Sequence, residues 1–460
     1  MIDTTKLIPL EDFVQPIKTM WAVSDHKLGA IESGNSSGSE ALVFTRNGHY
    51  TSQHWTDWTR GFRIGSIILQ SEASESPLIH DYGCEATKKW IEPRLTDFGV
   101  HDHGFTVTST YGNLLRHIDE EYSPHYDWER RYYVQALLTS GIVQAHRWTA
   151  LGEGYGFVHS FNGPHSLFAD TIRSLRSLAI AYLLGGVIHG EQGESHCLLE
   201  RIVAHIRTTS RYLVSSDQPL DGYSSSGRVA HEAIFNTRSL TFRCLSTQQG
   251  YSPFTTWTRG LAWIILGYAE MLEFFKMLPQ HIRKRHGTIE EELLTTLQYA
   301  CDYYIESSPT CGIPYWDTGA PGLYELGDWS GREADPFNGK EPVDSSAAAI
   351  AAQGLLRLGE IMGESGSKYT RAGRKTAYSL FQAPYLSTDP QHQGLLLHSI
   401  YHWPRRWDYI PEGSKIAYGE SVMWGDYHLR ELALYISRLS GSKPYYTFAN
   451  FNWNLPEEDK

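Results

Sequence analysis

Apolar residues recur at spacings of three and four through most of this 460-residue chain, and they almost never alternate. Ile172, Leu175, Leu178, Ala179, Tyr182 and Leu183 show the pattern, which is one apolar stripe along a helix. Comparable runs occupy about 128–148, 195–214, 257–276, 288–306, 344–362, 367–382 and 426–440. Loops rich in Gly, Pro, Ser and aromatic residues separate them. Short strands are expected within 223–245, where the pattern turns polar and irregular. Helix following helix predicts an all-α fold. An internal echo predicts that the fold closes on itself. Trp58-Thr59-Arg60-Gly61 recurs as Trp257-Thr258-Arg259-Gly260, and an apolar helical run follows each copy. That points to equivalent starts of two inner helices in a toroid of helical hairpins. The segment 327–343 opens Gly327-Asp328-Trp329-Ser330-Gly331-Arg332 and reads as a long surface loop, not a linker. The chain therefore reads as a single domain over 1–460, with 1–50 as an N-terminal lead-in carrying the first helices.

Several function classes fall away. The net charge is −12 and no basic run occurs, so nucleic-acid binding has no electrostatic support. The longest apolar region, 178–187, is too short to span a bilayer. The five cysteines, Cys84, Cys197, Cys244, Cys301 and Cys311, are scattered, odd in number and without CxxC spacing. This argues against a disulfide framework or a zinc site and suits a reducing compartment. The segment Met1-Ile2-Asp3-Thr4-Thr5-Lys6 has no basic stretch leading into an apolar one, and a cytoplasmic location is expected. His101 and His103 stand two apart, a spacing that does not share a helix face, and no second cluster completes a metal site. Gly152, Gly154 and Gly156 follow a helix, the wrong setting for a dinucleotide turn, and no phosphate loop or GxSxG elbow is present.

What remains has a common composition. His101-Asp102-His103-Gly104-Phe105, Asp170-Thr171-Ile172, His231, Gln249-Gly250-Tyr251, Trp257-Thr258-Arg259-Gly260-Leu261-Ala262-Trp263, Pro314-Tyr315-Trp316-Asp317, Asp344-Ser345-Ser346-Ala347 and Trp424-Gly425-Asp426-Tyr427 follow in that order. Most set an Asp, His, Gln or Arg beside Trp, Tyr or Gly at a loop-to-helix junction. Aromatic residues make up 13% of the chain, with 14 Trp and 28 Tyr. Most of those pack in a core. A subset beside fixed polar groups is what a sugar pocket needs, because sugar rings pair an apolar face with a polar edge. An acidic chain attracts no anionic sugar at long range, so such a ligand would need local donors.

Asp170 stands out. With Ser166 as N-cap, it falls in the first turns of a helix. Asp170, Ser174, Ser177 and Ala181 then form a narrow face of small and polar residues that lets another element approach closely. A carboxylate near a helix start is also what the helix dipole favours.

Together these motifs resemble those of the unsaturated glucuronyl hydrolases, glycoside hydrolase family 88, and more distantly the unsaturated rhamnogalacturonyl hydrolases. The resemblance runs over about 55–433, carried by HDHGF at 101–105, ADT at 169–171, QGY at 249–251, WTRGLAW at 257–263, PYWD at 314–317, DSSAAAIAAQGLL at 344–356 and WGDY at 424–427. It implies an (α/α)6 barrel that removes a 4,5-unsaturated uronic acid from the non-reducing end of lyase-generated oligosaccharides. It implies Asp170 as general acid/base and Asp102 as a second essential carboxylate. It also implies His231, Gln249, Trp58, Trp257, Arg259, Trp263 and His101 as substrate contacts, with Phe161 where a Trp is common. No metal or organic cofactor is implied, and the partner is the oligosaccharide alone, bound by a monomer or homodimer. For this chemistry Asp170 needs a pKa raised by burial and by neighbouring negative charge.

This chain also departs from the pattern. Ser246, Thr247 and Gln248 fill a stretch where a His is common. Ser174-Leu175-Arg176 replaces an Asn-Leu-Pro, and Arg63 stands where an aromatic is common. These changes bear on which sugar follows the uronate, and on the linkage accepted, more than on the reaction. A lyase or epimerase, or a non-catalytic sugar binder, on the same barrel is the alternative reading, since the fold by itself does not decide.

Overall fold

A computed structural model describes residues 1–34, 41–53, 57–122, 126–220, 222, 224–441 and 443–459. The expected starts of the resemblance at Trp55 and of the strand region at Tyr223 lie outside the described residues.

Six helical segments form a closed inner ring. They are Arg60–Ser74, the run from His103–Val107 through a π-helical turn to Asn113–Asp119, the pair Thr171–Ser174 and Arg176–Leu183, then Thr258–Met277, Ser345–Met362 and Met423–Ser440. Each packs on the next, and the last packs back on the first. The helices Val14–Gly34, Pro77–Trp90, Asp127–His146, Leu198–Tyr212, Ile289–Ser307 and Ser367–Leu380 alternate with these in the chain and lie outside them. The fold is an (α/α)6 barrel. The two copies of the echoed tetrapeptide lead into inner helices, at Arg60 and at Thr258. Helix runs read from periodicity agree with the observed bounds to within a few residues.

The hydrophobic effect explains the two layers. Inner helices are buried nearly all round, as in Thr258–Met277, where all but the last two residues are inaccessible. Outer helices bury one stripe; in Leu198–Tyr212 it is Leu198, Leu199, Ile202, Val203 and Ile206. One apolar core runs continuously from Ile2 to Leu455. The centre of the barrel is not all apolar. Arg173 bonds Glu270 at 2.6 Å and Glu431 at 3.0 Å, and donates to His428 Nε2 at 2.6 Å, all fully buried. In such a cluster the cost of desolvating the charges offsets much of their attraction.

Two expectations need correction. Ser166 is not an N-cap. It opens the strand Ser166–Phe168, which pairs with Glu232–Asn236, and Asp170 itself takes the cap position of Thr171–Ser174. Strands also go beyond the expected region: hairpins Leu42–Arg46 with His49–Ser52, and Trp148–Gly152 with Tyr155–Val158, are local turns that a helical period cannot register. The expected strands in the 223–245 region are Glu232–Asn236 and Thr241–Ser246. The small-residue face does admit close neighbours. A Cβ at Gly104 would overlap the Ser174 carbonyl, and one at Gly141 would overlap that of Ser177. Among the described residues, no helix is long and apolar enough to cross a membrane.

Candidate active site

A cavity of about 640 Å³ opens at one end of the barrel, a size that takes a small oligosaccharide. Trp58, His101, Asp102, Phe105, Phe161, Phe168, Asp170, Gln249, Trp257, Arg259 and Trp263 line it. Thus nine of the ten residues singled out from sequence, Asp170, Asp102, His101, Gln249, Trp58, Trp257, Arg259, Trp263 and Phe161, meet at one site. His231 is the exception.

Both carboxylates sit at starts of inner helices. Asp102 precedes His103–Val107 and Asp170 precedes Thr171–Ser174, and neither side chain caps its own helix. Both are therefore free to face the cavity, anchored by backbone. The segment 101–104 is locked to 170–174 by backbone proximity at Gly104 and by two hydrogen bonds: Ser174 Oγ accepts from Gly104 N at 3.1 Å and donates to the His101 carbonyl at 2.5 Å.

His101 stands between the carboxylates. Its Nε2 is 3.2 Å from Asp170 Oδ1 and 3.9 Å from Asp102 Oδ1. Phe161 stacks along the ring at 6.1 Å and Phe168 meets it edge-on at 5.6 Å. Burial pushes the imidazole toward neutrality, but the charges of Asp102 and Asp170 outweigh it and the pKa of His101 is raised. Burial likewise pushes both acids up. In Asp170 the hydrogen bond and charge of His101 prevail, and its pKa lies below the ordinary value. In Asp102 burial prevails, helped by the negative charge of Asp170, and its pKa rises to about 6. The expectation of a raised Asp170 pKa is therefore corrected for the free site. His101 gives its hydrogen bond to Asp170, leaving Asp102 as the more protonated acid.

His231 does not line the cavity; it backs it. Its Nδ1 accepts from the backbone N–H of Gln248 at 3.0 Å and of Gln249 at 3.3 Å, and its ring packs on Phe168 and Trp257 at 4.7 Å each. Burial lowers its pKa to about 4. The ring is neutral with its proton on Nε2, an atom that is buried without a partner. Its Nδ1 thus supports the Gln249 turn, while its charge state bears on Asp170.

Arg259 lies between Trp257, 4.6 Å away, and Trp424, 5.0 Å away. One terminal nitrogen donates to Asp344 Oδ2 at 2.8 Å and to the Ile400 carbonyl. The other donates to Gln249 Oε1 and the Tyr401 carbonyl, each at 2.7 Å. Its guanidinium is committed to the protein. Because Gln249 Oε1 accepts from Arg259, its amide NH2 is left as a donor at the cavity wall. Trp263 packs on Phe105 at 4.9 Å and on His428 at 5.1 Å, and Trp58 stacks on Trp424 at 5.0 Å. The aromatic walls are thus held from behind.

His103 is turned away. Its Nε2 donates to the Asp97 carbonyl at 2.5 Å and its Nδ1 accepts from Ser140 Oγ at 2.7 Å, so both nitrogens are in use. Among the described residues no cluster of His, Cys, Asp and Glu could hold a metal ion.

One wall was missed from sequence. Tyr401, His402, Arg405 and Trp407 line the cavity, on a loop held by Asp408, which accepts from Tyr401 N at 2.5 Å and His402 N at 2.9 Å. The stretch 401–407 mixes Tyr, His, Trp and Arg as the other motifs do, and that mixture was the available signal.

No protein-family model matches the chain. The unsaturated glucuronyl hydrolase of Bacillus sp. (strain GL1) is 27% identical over 412 residues, covering 88% of this chain and 90% of that protein. The unsaturated glucuronyl hydrolase of Formosa agariphila is 24% identical over 383 residues, covering 82% and 78%. The crystal structure of the Bacillus sp. GL1 unsaturated glucuronyl hydrolase, described as responsible for the degradation of glycosaminoglycan, superposes with a TM-score of 0.67 at 22% identity, over 91% of this chain and 96% of that one. The resemblance read from the motifs thus extends over most of each chain and to the fold.

Proposed function

We propose that this chain is a hydrolase that releases a 4,5-unsaturated uronic acid, of the unsaturated glucuronate type, from the non-reducing end of lyase-generated oligosaccharides. The observation that carries the proposal is the pair of carboxylates, a buried Asp102 and a partly buried Asp170, bracketing His101 at one end of a tryptophan-walled cavity. Relatives similar over most of the chain bear the name unsaturated glucuronyl hydrolase, which supports the same reading.

In this mechanism the unsaturated ring lies against Trp257 and Trp263. Its carboxylate meets the Gln249 amide, with the Arg259 charge behind it. Asp170 delivers a proton to C4 of the enol ether, and positive charge develops at C5 and the ring oxygen. Asp170, now ionised, takes a proton from water as the water oxygen bonds C5. The resulting hemiketal opens and the aglycone leaves as an alcohol. One carboxyl thus serves as acid and then as base. The entering anion raises the pKa of Asp170, and the proton it needs lies beside it on His101.

One observation favours an exchange of roles. In the free site Asp102, with a pKa of about 6, is the more protonated acid. Under that reading Asp102 protonates C4 and Asp170 activates water.

We place the catalytic unit over 1–460 as one domain, working as a monomer or homodimer in the cytoplasm, where its five unpaired cysteines would stay reduced. Membranes and nucleic acids are not partners in this reading.

The test is the ultraviolet absorbance of the C4=C5–carboxylate chromophore, followed with a panel of lyase-generated disaccharides. Its loss with wild type, abolished in Asp170→Asn, supports the reaction and the role. Rhamnose-linked members as the best substrates would make the activity rhamnogalacturonyl-type. A folded protein that consumes none of the panel would turn the assignment toward lyase, epimerase or sugar-binding function on the same barrel.

A further inference from the structure

We propose that Arg147 is a positioning residue of this site, a single buried guanidinium that ties the loop carrying His101 and Asp102 to the loop carrying Phe161. For its consequences in turnover this rests on the hydrolase reading above.

Arg147 follows the Asp127–His146 helix and is 3% exposed. One terminal nitrogen donates to the Phe98 carbonyl, three residues before His101. The other donates to the Ser160 carbonyl at 2.6 Å, one residue before Phe161. Its Nε donates to the His159 carbonyl at 3.2 Å. The guanidinium also lies 5.6 Å from the centre of the Phe98 ring. The two loops meet again in front of it, where Phe161 stacks on His101. Their relative position is therefore set at the back by Arg147 and at the front by an aromatic contact.

Among the described residues, no carboxylate lies within ion-pair distance of Arg147, although it is buried. A guanidinium that meets carbonyl oxygens keeps its charge uncancelled, and in a poorly solvated region that charge reaches further. The groups facing Asp102 include His101, Asp170, Arg147, Asp97 and Tyr401; those facing His101 include Asp102, Asp170, Arg147, His159, His205 and His231. Glu232 and Arg259 bear on the site through His231, and His159 lies beside Arg147. Arg147 opposes burial at Asp102, favouring its carboxylate, and disfavours the imidazolium of His101. Geometry and charge thus come from one side chain. A lysine would keep the charge, but its ammonium cannot present a planar fork to three carbonyls.

The experiment compares wild type, R147K and R147M. Carbon-13 NMR of aspartate-labelled protein follows the Asp102 carboxyl through pH, with Asp102→Asn providing the assignment. kcat and KM on an unsaturated disaccharide are measured alongside thermal melting. In R147M the Asp102 titration is expected to move to higher pH, and kcat/KM to fall on the order of 10²-fold as the walls lose register. In R147K the titration is expected to stay near wild type while kcat/KM still falls. Should R147M fail to fold, R147K carries the test: wild-type kinetics would overturn the positioning role, and a moved titration would overturn the separation of charge from geometry. Unmoved Asp102 titration in folded R147M would overturn the electrostatic part. If wild type consumes no unsaturated substrate, the hydrolase reading fails, and the titrations still decide what Arg147 does to Asp102.

Discussion

His101 Nε2 stands 3.2 Å from Asp170 Oδ1 and donates its hydrogen bond there, although Asp102 Oδ1 is only 0.7 Å further away, at 3.9 Å. That choice splits two similar carboxyls into one held low and one held high. In His101→Gln the charge that holds Asp170 down is lost, so the Asp170 carboxyl should ionise at higher pH. The pH profile of kcat/KM is expected to shift its Asp170 limb upward; an unmoved profile would remove His101 from the electrostatics.

Asp170→Asn should lower kcat by about 10²–10⁴-fold, the range for loss of a positioned acid/base, with the melting temperature near wild type. Asp102→Asn discriminates the two mechanisms. If Asp102 protonates C4, wild-type activity declines as pH rises through about 6, and Asp102→Asn is as inactive as Asp170→Asn. If Asp170 does, wild-type activity does not follow the Asp102 titration, and Asp102→Asn loses less turnover than Asp170→Asn.

Asp102 also links stability to pH. Its pKa in the fold, about 6, lies above the ordinary 3.8, so its contribution is fully present below the lower value and is lost as pH rises through the higher. The full difference is worth about 3 kcal/mol. Asparagine cannot ionise. The melting temperature of Asp102→Asn relative to wild type should therefore climb between pH 4 and pH 7, roughly the window these values bound. A difference that stays flat with pH would mean that Asp102 ionises at no cost to the fold.

The helical plan was legible because burial of one stripe demands a 3.6-residue period, and nothing competes with it in helices such as Ile289–Ser307. The placement of Asp170 was legible only in part. Its helix was expected, but the cap was misread because Ser166–Phe168 is a three-residue strand defined by a partner at 232–234, far away in sequence. Loop 401–407 has no period at all, so Tyr401, His402, Arg405 and Trp407 reach the site through tertiary ties alone. The hydrogen-bond partners of His231 and Arg259 were out of reach for a related reason. Residue type identifies a donor, but only geometry shows whether the donor is already committed.

Arg259→Lys should behave as a disruptive change. Lysine keeps the charge but cannot reach Asp344, Gln249 and two carbonyls together, and a buried Asp344 is then poorly paired. A buried acceptor left without its hydrogen bond costs on the order of 1–3 kcal/mol. Denaturant melts should register that cost, and KM should rise as the Gln249 amide loses its orientation. Wild-type melting would show the clamp to be dispensable.

Trp407→Ala removes a face of the wall that sequence reading overlooked. An aromatic contact of this kind is worth about 0.5–1.5 kcal/mol beyond its buried area. KM for a disaccharide is expected to rise up to about tenfold with kcat nearly unchanged. A fall in kcat with KM unmoved would place Trp407 in transition-state binding instead.

The start of the loop that holds this wall is fastened by Arg259 at the Ile400 and Tyr401 carbonyls, and the Asp408 side chain closes the loop on the Tyr401 and His402 N–H groups. Beyond these anchors, Arg405 and Trp407 line the cavity, while Trp403 is buried in the apolar core. Wall and carboxylates thus sit on separate segments of the chain. A lineage could drift toward a new oligosaccharide by point changes at Arg405 and Trp407, and a randomised library confined to those two positions would explore substrate range with Asp102 and Asp170 left in place.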